Sequence, residues 1–219
     1  MTEALPILAI LGGTGKEGPG LAMRWAKAGY KIIIGSRQLE KAQAKAVELN
    51  EKLKCDTISG LQNRDAAKEA NICILTVVQT AHEQTLEELK DYLQDKILID
   101  ATARVDFVDP QPPSPPSAAR IAQNILGEKV RVVAAFQNVP AHSLKKNIEQ
   151  PIETDVFVCS DDITAARETI KLANAGGMQA YYAGNLDNAI VVEGLTSILI
   201  SINKEYGVKT ASISINGIK

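Results

Sequence analysis

The residues best placed to do chemistry in this chain are glycines. Gly13, Gly15 and Gly18 stand at G-x-G-x-x-G spacing, directly after an apolar run at 5–11 and before a helix-type sequence at 19–28. Glycines at this spacing let the backbone turn tightly and aim helix N-terminal N–H groups at a diphosphate. One βα unit later, residues 33–37 read Ile-Ile-Gly-Ser-Arg. At the end of its second strand, a site for an unmodified ribose usually carries Asp or Glu to hold the 2′-hydroxyl. This chain places Ser36 and Arg37 there, with Lys41 one helical turn on. A hydroxyl and two cations suit a 2′-phosphate, so the expected cofactor is NADP(H).

These residues need a sheet to position them. The runs at 5–11, 31–35, 71–78, 96–100 and 130–136 read as strands, and they alternate with helical patterns at 19–28, 38–54, 81–93 and 118–126. This predicts an α/β fold, a Rossmann-type doubly wound parallel sheet with a short C-terminal α/β extension. Pro19 is tolerated in a first helical turn, where its missing N–H would have no partner anyway. Five prolines between 109 and 117 exclude helix and central strand, so that segment is expected to be an extended loop. After a parallel strand such a loop lies on the ligand edge and can frame a substrate cleft.

Residues 1–150 are assigned to the NADP-binding Rossmann domain, and 151–219 to an extension packed on it that contributes the acceptor cleft and a dimer face. The extension reads as strands at 155–160 and 178–182 and helices at 164–173 and 186–206. A stripe of Ile190, Val191, Leu195, Ile198, Leu199 and Ile202 is wider than one sheet face requires, and it motivates the expected homodimer.

Composition excludes several classes. With 45% hydrophobic residues, 23% charged residues and a net charge of −2, there is no footprint for nucleic acid or an anionic membrane. The most apolar window, 189–202, carries Glu193 at its middle, so no membrane span is expected. Cys55, Cys73 and Cys159 lack metal-ligand or paired spacing and read as buried thiols in a reducing compartment. No signal-type segment opens the sequence, which points to the cytoplasm.

Beyond spacing, whole stretches resemble one family. Gly12-Gly13-Thr14-Gly15, Gly18-x-Gly20-Leu21-Ala22 and Gly35-Ser36-Arg37-x-x-Glu40-Lys41-Ala42 resemble the NADPH-dependent reductase of the deazaflavin coenzyme F420. Val132 to Phe136 with Val139-Pro140-Ala141, then Cys159 to Asp162 and Val192-Glu193-Gly194-Leu195-Thr196, are similar to that family's later motifs. The resemblance implies hydride transfer between NADP(H) and an 8-hydroxy-5-deazaflavin, by a generally dimeric Rossmann protein. It assigns Thr14, Ser36, Arg37 and Lys41 to the 2′-phosphate, and Gly13, Gly15 and Gly18 to the diphosphate. It further places Thr76, Val77 and Val78 beside the nicotinamide, and Val139 and Ala141 where the deazaflavin stacks. The chain departs from the family pattern at Val78, Gln137 and Asn185.

Hydride transfer between two such rings needs no nucleophile and no metal, since the rings carry the electronics and the protein supplies geometry. Accordingly no catalytic side chain and no metal ligand set is assigned. His142 reads as a solvent-facing histidine, Lys145 and Lys146 as solvated cations or an anion-attracting pair, and Arg104 as a charge on the ligand edge. Two alternatives stay open on the residues alone. One is an NADPH-dependent reductase of a flavin or of a small imine or carbonyl metabolite, for which no convincing proton donor is evident. The other is a non-catalytic NADP(H)-binding sensor.

Overall fold

The shortest apolar runs make the centre of the molecule. The computed structural model describes residues 4–218. Its strands are β1 (Leu8–Leu11), β2 (Ile32–Ser36), β3 (Ile58–Gln62), β4 (Ile72–Leu75), β5 (Ile97–Asp100), β6 (Arg131–Ala134), β7 (Asp155–Ser160) and β8 (Gln179–Tyr182). They form one sheet of order β3-β2-β1-β4-β5-β6-β7-β8. Every pair is parallel except β6–β7. β1, β4 and β5 are buried along their whole length, as strands covered by helices on both faces must be.

The helices are α1 (Gly18–Lys27), α2 (Leu39–Leu53), α3 (Asn63–Glu69), α4 (His82–Leu89), α5 (Ala118–Leu126), α6 (Ala141–Lys145), α7 (Ile163–Ala175) and α8 (Ala189–Glu205). Apolar residues of α1, α2, α6 and α7 fill one face of the sheet, and those of α3, α4, α5 and α8 fill the other. The chain reverses its winding between β1 and β4, so a crevice opens there at the C-terminal edge of the strands.

The structure adds elements that the residue pattern did not predict. β3 and α3 follow α2, and α6 follows β6. β3 is an edge strand whose Ser59, Gly60 and Gln62 interrupt any apolar alternation. Gly60 is there because a Cβ would meet the Ala42–Gln43 backbone of α2 at 2.4 Å. The strands expected to run to 78 and 136 end at Leu75 and Ala134, leaving their last residues as loop. Past β6, Phe136 is fully buried at φ +76°, a conformation that L-residues avoid, and it packs edge-on against Trp25 with centroids 5.8 Å apart.

A buried arginine ties the two halves of the chain together. Arg24 of α1 is 4% exposed. Its guanidinium donates to the carbonyls of Leu144, Lys146, Gln150 and Gly176 at 3.0–3.2 Å. Five N–H donors in a rigid fork suit this array of carbonyls, which a lysine would not satisfy.

Residues 186–205 are long and apolar enough to cross a membrane by length and composition. In the fold, however, this segment covers the sheet. Ala189, Val192 and Leu199 are buried, and Glu193 is wholly so. Within the expected apolar stripe, Val191, Ile198 and Ile202 are exposed, Ile190 and Leu195 are half-buried, and Leu199 faces the core. Cys73 and Cys159 are buried as expected, whereas Cys55 is only half-buried because it follows the end of α2 at the surface.

Candidate dinucleotide and acceptor site

The turn from β1 into α1 is built from close backbone approaches. Gly12 has φ +71°, and a Cβ there would lie 2.6 Å from Val77 Cγ1. A Cβ on Gly13 would strike the Ile10 carbonyl at 2.6 Å, and one on Gly18 would strike Gly13 Cα at 2.6 Å. Gly12, not Gly13, therefore supplies the left-handed turn, while Gly18 lets α1 pack onto it. Gly15 differs, being exposed, with no heavy atom closer than 3.6 Å to its missing Cβ. It offers bare backbone beside the positive end of α1, where a phosphate can approach. Thr14 sits half-buried in the same turn.

Asn63, at the start of the unexpected α3, locks this turn. Its Oδ1 accepts the Gly12 N–H at 3.1 Å and would be 2.7 Å from a Cβ on Gly35. The Gly13 N–H donates to the carbonyls of Ile10 and Gly35, joining the β1 and β2 ends. At the β2 end, Ser36 is buried and its Oγ accepts the Gln38 N–H at 3.2 Å, whereas Arg37 and Lys41 are exposed. These residues lie on one side of the crevice.

Across the crevice, past β4, Thr76 donates from Oγ1 to the Leu11 carbonyl at 3.2 Å, Val77 packs on Gly12, and Val78 is 69% exposed. Past β6, Ala141 opens α6 and is half-buried, while Val139 lies behind it in the core with Phe136 and Leu144. Apart from Lys41, which stands on α2, the expected contact positions thus lie at or just past the C-terminal ends of β2, β1, β4 and β6. His142 is exposed, as expected. Arg104 is not a loose edge charge, because its Nη2 donates to the Ser114 and Pro116 carbonyls. Lys145 is exposed and its stem covers Gly20 of α1. Burial, the nearby Lys45 and further lysines at positions 52 and 16 push it below the usual lysine value.

A buried acidic cluster at the crevice floor was not foreseen. Asp100, at the end of β5, is inaccessible to solvent. Its Oδ2 meets His82 Nε2 at 2.7 Å and its Oδ1 accepts the Thr102 N–H at 3.0 Å. Burial pushes His82 down, but the Asp100 contact, with Glu193 and Glu83, outweighs it and holds the imidazole above its ordinary value. Glu17 precedes α1, and its Oε1 is buried without a hydrogen-bond partner. Burial, and then the Asp100 charge, push the Glu17 carboxyl up to about 8. Burial likewise pushes Glu193 up to about 7, against N–H bonds from Ala118 and Arg104. Among the described residues no group of three or more acidic, His or Cys side chains is arranged to hold a metal.

Gln137 and Asn138 extend this floor. Gln137 Nε2 donates to the Asp100 carbonyl at 2.8 Å, which leaves Oε1 as a buried acceptor without a partner. Asn138 Nδ2 donates to the Asp155 carbonyl at 2.7 Å, leaving its Oδ1 in the same condition. The bare-backbone phosphate cradle at Gly15 and the two exposed cations Arg37 and Lys41 at the β2 end together fit NADP(H).

Comparison with known proteins supports the same assignment. Residues 7–104 match the family described as NADP oxidoreductase, coenzyme F420-dependent. The F420-dependent NADP reductase of Methanocaldococcus jannaschii is 39% identical over 97% of this chain and 99% of its own length. That of Methanothermobacter thermautotrophicus is 37% identical over 96% of this chain and 95% of its own length. A crystal structure from Arthrobacter sp. FB24, provisionally described as an F420-dependent NADP reductase, is 22% identical. It superposes with a TM-score of 0.81 over 97% of this chain and all of that one, which establishes the common fold. On its full-length likeness to the archaeal enzymes, the chain belongs to the F420-dependent NADP reductase family.

Proposed function

We propose that this protein is an oxidoreductase that transfers hydride between NADP(H) and the deazaflavin coenzyme F420. The observation that carries the reading is likeness along the whole chain to enzymes named for that reaction, and the tight glycine turn between β1 and α1 supports it. Arg37, Lys41 and Ser36 hold the 2′-phosphate, with Thr14 closing over it. The Gly13–Gly18 turn and the start of α1 hold the diphosphate, and Thr76, Val77 and Val78 flank the nicotinamide.

When bound, NADPH supplies the hydride. The protein's part is orientation and exclusion of water, which brings two rings into contact without a covalent step. Ala141 leaves room for a flat acceptor, with Val139 as its buried backing. Residues 151–219 close the acceptor side as an extension of the nucleotide domain. Val191, Ile198 and Ile202 of α8 form the face of a homodimer, and the protein works in the cytoplasm without a membrane or nucleic-acid partner.

Stopped-flow absorbance tests this directly. Protein mixed with NADPH should bleach oxidised F420 rapidly and leave FMN and FAD unreduced. Bleaching of a flavin alone would move the assignment to a flavin reductase, and tight binding of NADPH without any oxidation would favour a sensor.

A further inference from the structure

The two ends of the loop between β5 and α5 are held together by one side chain from α8. Glu193 is wholly buried, and its two oxygens serve the two ends of that loop. Oε2 accepts the Arg104 N–H at 3.3 Å, and Oε1 accepts the Ala118 N–H at 2.6 Å. Arg104 then stitches the loop internally by donating to the Ser114 and Pro116 carbonyls, and its Nε lies 3.6 Å from Glu193 Oε2. At the tip, Lys204 of α8 donates to the Val108 carbonyl at 2.6 Å. Phe107 and Val108 stand there 71% and 85% exposed.

The chemistry requires a carboxylate. Both partners of Glu193 are backbone N–H donors, so the group between them must offer two acceptor oxygens. A glutamine there would turn its NH2 towards one of the two donors. One turn further along α8, Thr196 Oγ1 donates to the Gln137 carbonyl at 2.9 Å, and the Gln137 side chain holds the Asp100 carbonyl at 2.8 Å. The helix that clamps the loop is therefore the helix that braces the β5 and β6 strand ends. Asp100 and His82 are the other ionisable groups facing Glu193, besides Arg104.

We propose that Glu193 is a positioning residue for the hydride acceptor, clamping the strap 104–118 as a fixed wall of the acceptor side while leaving the dinucleotide side untouched. The proposal rests on reading the β5 and β6 ends as the acceptor edge. Five prolines stiffen the strap, so fixing its two ends fixes its course.

The test compares wild type with Glu193→Gln in three measurements: amide hydrogen exchange over 104–118, the dissociation constant for NADPH, and KM for F420. Faster exchange in the strap, a KM raised about tenfold and an NADPH affinity within about twofold of wild type would support the proposal. Unchanged exchange would refute the clamp. Faster exchange with unchanged KM would overturn the link to the acceptor, and equal losses of NADPH and F420 binding would reduce the residue to general stability. If Glu193→Gln fails to fold, the double variant Pro112→Gly with Pro113→Gly loosens the same wall without touching α8 and must raise KM in the same way. An inert wild type would overturn the function itself, whereas the exchange measurement would still decide the clamp.

Discussion

Replacing Glu17 by Gln should make the protein more stable, and increasingly so as pH rises. The Glu17 carboxyl is held near 8 in the fold, by burial first and by Asp100 second, against an ordinary value of 4.5. Below pH 4.5 it is protonated whether folded or unfolded and imposes no pH-linked penalty. Between 4.5 and 8 the unfolded chain releases the proton and the folded chain keeps it, so stability falls as pH rises. Above 8 the whole penalty is present and the curve flattens. At about 1.4 kcal/mol per unit, the penalty reaches up to about 3 kcal/mol at pH 7 and about 5 kcal/mol on the plateau. Glutamine has a similar shape and does not titrate, so the variant escapes the penalty. Urea denaturation at pH 5, 7 and 9 reads the difference. Near-equal midpoints at pH 5 should separate progressively in favour of the variant, and a thermal midpoint at pH 7 should rise by roughly 6–12 °C. A variant no more stable at pH 9 than at pH 5, relative to wild type, would show that this carboxyl is not buried beside Asp100.

The remaining predictions concern the two sides of the crevice and its frame. Arg37→Ala with Lys41→Ala should weaken NADPH by about 2–3 kcal/mol in titration calorimetry and leave NADH unchanged, since only charge-assisted contacts to the 2′-phosphate are lost. Asn63→Ala removes the acceptor for the Gly12 N–H and should cost about 1–3 kcal/mol, seen as weaker binding of both dinucleotides together with lower stability. Ala141→Trp should abolish hydride transfer with NADPH affinity nearly intact, and equal loss of both would place the acceptor elsewhere. Arg24→Met strands four carbonyls and should lower stability by about 3 kcal/mol or more in denaturant, with unfolding still cooperative.

The parts of the site that were legible in the sequence are those set by local chemistry. A glycine turn must follow its strand and precede its helix, and the residues ending β2 fall at the same sheet edge, so the positions of Gly13, Gly15, Gly18, Ser36 and Arg37 on that edge could be read from spacing alone. The α5 and β7 boundaries fall where expected, α5 because Ser117 caps its helix by accepting the Arg120 N–H. Hidden parts depend on long-range contact. Asn63 acts on Gly12 across 51 positions and opens a short helix that, like the edge strand before it, is too polar to register as periodic. Glu17, Asp100 and Glu193 come from three elements, and each alone reads as an ordinary solvated acid. Arg104 similarly reads as an edge charge until the fold turns its guanidinium back onto its own loop.

Isotope tracing addresses the central claim most closely. NADPH carrying deuterium at the transferring position of nicotinamide C4, mixed with the protein and oxidised F420 in ordinary water, should yield reduced F420 with the deuterium at C5 by mass spectrometry and NMR. Reduced F420 without the label, or no reduction while NADPH remains bound, would contradict direct transfer across this crevice.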